Sequence, residues 1–141
     1  MLEDIQVAID FTSRRKHPNE PAETIRSSMN GQLQKKGASF YLSYVESTPE
    51  LGQMTHMIKL ADDQALIMRK GTTNMRLPLT LGEETTGQYQ SPVGPFVIAA
   101  TMKAYEFNWD EKTGDVLITY VLHLQNEFAG EFSLQFKLKA I

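Results

Sequence analysis

Apolar and polar residues alternate at both ends of the chain, and this period of two constrains the fold more than any other feature. Every second residue is apolar from Ile5 to Phe11, with Val7 and Ile9 between them, and the pattern returns from Phe132 to Leu138. Successive side chains of a β-strand point to opposite faces, so each segment is predicted to be a strand with one buried face. No window shows the i, i+3, i+4, i+7 spacing of a long amphipathic helix. The sequence therefore predicts an all-β fold with little helix.

Turn-forming residues divide the rest of the chain into segments of similar length. Clusters of Gly, Pro, Asn, Asp and Ser recur every 8–15 residues, a spacing typical of strands joined by short connections. The strands predicted between the two terminal ones cover about residues 22–34, 38–47, 53–60, 64–70, 73–81, 85–90, 95–109 and 115–125. This gives eight to ten strands, with the count open between residues 73 and 95.

The short connections favour an up-and-down antiparallel β-barrel over a sandwich, because they leave little room for Greek-key crossings. Gly31 interrupts the second strand, as expected for a bend or bulge at a barrel corner. Pro78 cannot donate a hydrogen bond to a neighbouring strand, so segment 73–81 is predicted to be an edge or bulged strand. No repeat or linker divides the sequence, and we expect residues 1–141 to form a single barrel domain.

Composition excludes several classes of function. The 141 residues contain no Cys, which excludes disulfide frameworks, thiolate zinc sites, iron–sulfur clusters and a cysteine nucleophile. A net charge of −3 argues against nucleic acid as a partner. The acidic N-terminus lacks the basic and apolar regions of a secretory signal, and no apolar run is long enough to span a membrane. The predicted compartment is the cytoplasm, with no membrane partner.

A basic run from Arg14 to His17, bounded by Pro18 and Pro21, allows two interpretations. One is a phosphate-binding loop. The other is a solvated surface loop, which is favoured because binding to phosphate backbones requires many such charges.

Several short pieces of the sequence, in this order and spacing, resemble the YwiB-like proteins, a functionally uncharacterised bacterial family. The pieces are GQL at 31–33, YLSYVE at 41–46, MRKG at 68–71, YQSPVG at 89–94, Thr101 and ITYVL at 118–122. The first loop, with its basic run and two prolines, departs from the family pattern. The resemblance implies a lipocalin-type (calycin) β-barrel, and it implies no activity because the family has none assigned.

Alternation places two charged side chains inside the predicted barrel near one mouth. Glu46 and Arg69 each share a face with the apolar residues of their own strand. The strand between them is expected to contribute Gln53 or Thr55 at the same mouth. Because an unpaired charge is costly to bury, we expect Glu46 and Arg69 to pair with each other.

Two functions fit this mouth. In the first, Glu46 and Arg69 anchor the polar end of a small, mainly apolar ligand, and Tyr44, Tyr89 and Tyr120 form amphipathic walls. In the second, the same groups close a filled core, and the barrel is a structural or protein-interaction module. Small barrels are either just filled by side chains or hold one small ligand, so size does not decide between the two.

The second function would be served by a homodimer, for which Leu51 and Phe128 in the connecting loops are candidate contact residues. An enzyme is disfavoured, because the sequence contains no GxSxG, P-loop, GxGxxG or HExxH motif. The three histidines, His17, His56 and His123, show no metal-ligand spacing. No cofactor or metal is expected.

Overall fold

Ten antiparallel strands form one closed β-barrel in the computed structural model, which describes residues 2–50 and 52–141, with residues 2 and 3 described by their backbone alone. The strands are β1 (Leu2–Lys16), β2 (Glu23–Lys36), β3 (Ser39–Thr48), β4 (Gly52–Leu60), β5 (Gln64–Lys70), β6 (Asn74–Thr80), β7 (Glu84–Ser91), β8 (Gly94–Trp109), β9 (Thr113–Leu124) and β10 (Glu127–Ala140). The predicted all-β barrel is confirmed, and segment 85–90 is a true strand. Within the described residues, no helix is long and apolar enough to cross a membrane.

Each strand pairs with its neighbours in sequence, and β1 pairs with β10 to close the barrel. The closing register sets Phe11 opposite Phe136, both on the inner face. Closure pairs the two terminal strands, which would otherwise expose rows of unsatisfied backbone groups.

The two ends of the barrel differ in how they are filled. We call the end that carries the β1–β2, β3–β4, β5–β6, β7–β8 and β9–β10 connections the open end, and the opposite one the closed end. Large apolar side chains fill the closed end, where Leu42, Leu77, Met102 and Ile118 are fully buried. The part of the hydrophobic core that these four residues form therefore lies away from the mouth that the sequence singles out.

Gly31 marks a close approach between strands. The register of β2 with β1 runs through Gly31 without a shift, so the bulge considered for this position is absent from that pairing. A Cβ atom at Gly31 would collide with the backbone oxygen of Ser43 and lie 2.7 Å from Cδ1 of Ile9. Pairing of β2 with β3 begins at this residue, opposite Tyr44, so Gly31 lets the two strands meet where β2 joins the barrel wall.

Pro78 lies where the hydrogen bonding between two neighbouring strands of the barrel is interrupted. Strand β6 pairs with β5 through Met75–Thr80 but with β7 only through Asn74–Arg76, so Pro78 has a partner strand on one side only. Its carbonyl oxygen accepts a hydrogen bond from the Thr85 hydroxyl on β7. The predicted edge is thus a local gap in a closed barrel, placed where the missing N–H of proline costs no ladder hydrogen bond.

Candidate functional site

A cavity of about 630 Å³ occupies the open end of the barrel. Its wall is mainly apolar and comes from nine of the ten strands, all except β2. The aliphatic and thioether part of the wall consists of Met54, Ile58, Ile67, Met75, Ile98, Leu122, Leu124, Ala129 and Leu134. The aromatic part consists of Phe11, Tyr44, Tyr89, Tyr120 and Phe132. The polar groups are few and are contributed by Ser13, Arg15, His17, Glu46, His56, Arg69 and Thr73.

One row of side chains crosses five adjacent strands at a single level of this cavity. The cross-strand partners in order are Tyr44 on β3, His56 on β4, Arg69 on β5, Met75 on β6 and Tyr89 on β7. Directly opposed residues on neighbouring strands have their Cβ atoms about 5 Å apart, so consecutive members of the row are in reach of one another. The row therefore combines a cation, an imidazole and two phenols on one wall of the cavity.

The prediction that Glu46 and Arg69 pair with each other is wrong. Glu46 instead contacts His56, with 3.2 Å between its Oε1 atom and the Nε2 atom of the imidazole. Strand β4 lies between β3 and β5, which puts two strand spacings, about 10 Å, between the two backbones. The inward side chain of β4 at this level is His56, which lies between the two strands and contacts the carboxylate of Glu46.

Arg69 has no anionic partner among the described residues. No carboxylate oxygen of these residues lies within 4.0 Å of its guanidinium nitrogens. Its Nε atom is buried and makes no hydrogen bond. A guanidinium carries only donors, so a buried N–H without an acceptor leaves part of its hydrogen-bonding capacity unused.

The prediction for Thr55 is also wrong, because this residue points away from the cavity. Thr55 and Gln53 are exposed on the outer face of β4. Ile58 and Leu60, at 2% and 1% exposure, set the inward phase of this strand. Counting back by twos from them gives His56 and Met54, so the signal was present in the sequence, although Met57 blurs the alternation.

The three predicted tyrosines all line the cavity. Tyr44 stacks on His56, with 4.7 Å between ring centroids and 11° between planes, and Tyr120 stacks on Phe132 at 5.4 Å. Burial raises the pKa of Tyr44 and of Tyr120, and the charge of Arg69 opposes the rise in both. Both phenols are therefore protonated at neutral pH and present O–H donors to the interior.

Most of the basic run, from Arg14 to Lys16, belongs to strand β1 rather than to a loop. Strand β1 continues to Lys16, paired with β10 as far as Lys16 and with β2 as far as Arg15, and Ser13 and Arg15 continue its inner face past Phe11. Arg14, Arg15 and Lys16 are all exposed, and Arg15 is the one of the three that lines the mouth of the cavity. His17 follows, and its Nδ1 atom lies 3.1 Å from the carbonyl oxygen of Ala129.

The contact between Glu46 and His56 is a hydrogen bond between a neutral imidazole and a carboxylate at neutral pH. Burial lowers the pKa of His56 below its ordinary value of 6.5, and the nearby charge of Arg69 lowers it further, against the opposing effect of Glu46. The imidazole therefore donates through Nε2 to the carboxylate without carrying a charge.

This lowered pKa predicts a specific loss of stability in acid. As pH falls below 6.5, the unfolded chain protonates His56 more readily than the folded chain does, so the free energy of unfolding decreases. Replacing His56 by Gln removes this contribution. The free energy of unfolding should then fall less steeply with decreasing pH, by at most about 1.4 kcal/mol per pH unit. Urea denaturation of both proteins between about pH 7.5 and about pH 5 measures the two slopes. Equal slopes would contradict the assignment.

A ten-stranded antiparallel barrel with an amphipathic cavity at one end is the class of protein that these features define. The chain belongs to the DUF1934 family, a domain of unknown function, whose family model matches residues 9–136. It is 28% identical over 105 residues to the uncharacterized beta-barrel protein YwiB of Bacillus subtilis (strain 168), covering 74% of this chain and 73% of that protein.

The crystal structure of the ywiB protein from Bacillus subtilis matches the barrel with a TM-score of 0.87. The match covers 99% of this chain and 95% of the other at 20% sequence identity, and it supports the fold alone. The YwiB-like family predicted from the short sequence pieces is confirmed.

Proposed function

We propose that this protein is a non-enzymatic binding module that holds a small, mainly apolar ligand in the open end of its barrel, as lipocalin-like barrels do. The observation that carries the proposal is the cavity itself. Its volume of about 630 Å³ lies within the range of small-molecule sites, and its composition, apolar walls with a few convergent polar groups, is typical of them. The polar groups at the mouth would orient the polar end of the ligand.

The alternative is a filled barrel that acts as a structural or interaction module, as a homodimer. A wholly filled interior is difficult to reconcile with a cavity of this size, which favours ligand binding. Of the two candidate dimer contacts, Phe128 is 49% exposed, with its ring 5.9 Å from that of His123, and Leu51 lies outside the described residues. The dimer and the cytoplasmic location remain predictions.

Binding of an uncharged apolar fluorophore tests the proposal. N-phenyl-1-naphthylamine should bind in the cavity and gain fluorescence, with one molecule bound per chain. Replacing Ile98 by Trp places a larger ring in the cavity wall and should weaken binding about tenfold or more. Val97 is the neighbouring residue on β8 but is 65% exposed on the outer face, so Val97→Trp should leave the affinity unchanged.

Two outcomes would contradict this proposal. One is a wild-type protein that does not bind the fluorophore, and the other is equal binding by the Ile98→Trp and Val97→Trp variants. Native mass spectrometry of protein purified from its own host supplies an independent test. A co-purifying small molecule on the monomer would support the binding module, whereas a dimer with no added mass would support the alternative.

A further inference from the structure

We propose that the polar end of the ligand is a carboxylate, received inside the cavity by the guanidinium of Arg69. This inference rests on the proposed function, since it names the chemical class of the ligand that the cavity would hold. The ligand would be an amphiphile with a single negative charge at one end and an apolar chain or ring at the other.

The first argument is the unpaired state of Arg69. Its Nε atom is buried without a hydrogen-bond acceptor, and no carboxylate of the described residues is within ion-pair distance. Removing the Nε–H group from water without an acceptor is costly, so an acceptor that arrives with the ligand would recover the lost hydrogen bond. The planar fork of arginine matches the two oxygens of a carboxylate, which makes this group its natural complement.

The second argument is the charge balance of the cavity. Among the described residues that line it, two guanidinium groups, Arg15 and Arg69, face one carboxylate, Glu46. That carboxylate accepts a hydrogen bond from His56, and His56 is neutral at pH 7 because its pKa is lowered. The charge of one guanidinium is therefore not balanced, which favours a monoanion over a neutral, cationic or doubly charged ligand.

The third argument is the surroundings of Arg69 in the row of side chains across the strands. His56 is the cross-strand neighbour of both Arg69 and Tyr44, and Tyr120 lines the same cavity, so these groups border the space that Arg69 faces. Both phenols are donors, and neither makes a hydrogen bond with the described part of the chain. On the same strand, Ile67 lies one inward position closer to the closed end, where the apolar part of the ligand would contact it.

Competition between matched amphiphiles tests the proposal. Decanoate, decanol and decylamine have the same chain length and differ in the charge of the polar end. Each is titrated against N-phenyl-1-naphthylamine bound to the wild-type protein at neutral pH. Decanoate should displace the fluorophore at about tenfold lower concentration than decanol, and decylamine should be the weakest competitor. Stronger competition by decylamine would mean that Glu46 is the anchor and would overturn the proposal.

Variants of two arginines assign the preference to Arg69. Arg69→Met should weaken decanoate binding about 10- to 100-fold and leave decanol binding unchanged, since only the charged hydrogen bonds are lost. Arg76 lies exposed on the outer face of β6, so Arg76→Met makes the same chemical change outside the cavity and should keep the preference. Retained binding of decanol shows that the Arg69→Met barrel is folded. If the Arg69→Met variant does not fold, Arg69→Lys takes its place. Lysine keeps the positive charge but not the planar guanidinium, so the preference of this variant for decanoate over decanol should be reduced.

The results separate this inference from the function on which it rests. If the fluorophore and decanol bind but decanoate has no advantage, or if Arg69→Met and Arg69→Lys keep the full advantage, the carboxylate assignment is wrong and the binding function stands. If none of the amphiphiles nor the fluorophore binds to the wild-type protein, both proposals fail.

Discussion

Replacing Phe136 by Ala is expected to lower the free energy of unfolding by about 3–5 kcal/mol. The side chain is fully buried, stacks on Phe11 with 4.5 Å between ring centroids, and lies 6.0 Å from the ring of Tyr44. Leu134, the preceding inward residue of β10, lines the cavity, whereas Phe136 does not. Phe136 therefore lies directly beneath the cavity. Its removal leaves a void, because the strands of a closed barrel cannot move together to fill it.

A second phenylalanine on β10 provides the matched control. Phe132 lines the cavity at the open end and is only half-buried, so its ring already borders unoccupied space on one side. Phe132→Ala should therefore cost less, about 1–2 kcal/mol. Guanidinium denaturation of both variants measures the difference. Equal losses would show that the two ends of the barrel are equally well packed, contrary to the filled and hollow halves described above.

The fold was accessible from the sequence because a barrel of consecutive strands is encoded locally. Each strand needs only its own alternation and a turn at either end, and the pairing partner is then the next strand along the chain. Even segment 85–90, the shortest of the predicted strands, follows this rule and forms β7. The extension of β1 to Lys16 was missed because polar side chains at the mouth of a barrel have no apolar alternation to reveal them.

The site was only partly accessible, since its contacts cross strands. Alternation places Tyr44, Glu46 and Arg69 on the inner face, as the structure does. It does not tell which inward groups touch, because that depends on the register of β4 between its neighbours and on the reach of each side chain. His56 decides the outcome by contacting Glu46, a role that the spacing of the histidines in the sequence does not reveal. In the described part of the chain, no cluster of three or more His, Cys, Asp or Glu is placed to hold a metal ion.

Whether the barrel is filled or hollow was the question that size could not decide, and each description applies to one half of the interior. Toward the closed end, inward residues such as Leu42 and Met102 are fully buried in the core. Toward the open end the wall includes the small side chains of Ser13 and Ala129. The total side-chain volume therefore does not decide the question, because the unfilled space lies at one end of the barrel only.

Gly31→Ala is the second substitution with a large expected effect, about 3 kcal/mol of destabilisation, at the upper end of typical over-packing costs. The added methyl group would collide with the carbonyl oxygen of Ser43, a backbone atom that cannot turn aside as a side chain does. The first residue pair of the β2–β3 ladder, Gly31 with Tyr44, would have to separate. Because Tyr44 begins the row of side chains that includes Arg69, the same variant should also weaken binding of N-phenyl-1-naphthylamine.

The control for this effect is Gly37→Ala in the β2–β3 turn, where the added methyl group meets nothing within 4 Å. Gly37 has φ of +59°, so alanine there should destabilise the protein only through the backbone, by about 1–2 kcal/mol. Thermal or guanidinium unfolding compares the two variants, and fluorophore titration compares their cavities. If both substitutions destabilise the protein equally and neither changes the affinity, then close approach at Gly31 does not hold the wall of the site in place. A larger loss at Gly31 with weakened binding would show that strand contact outside the cavity positions the groups inside it.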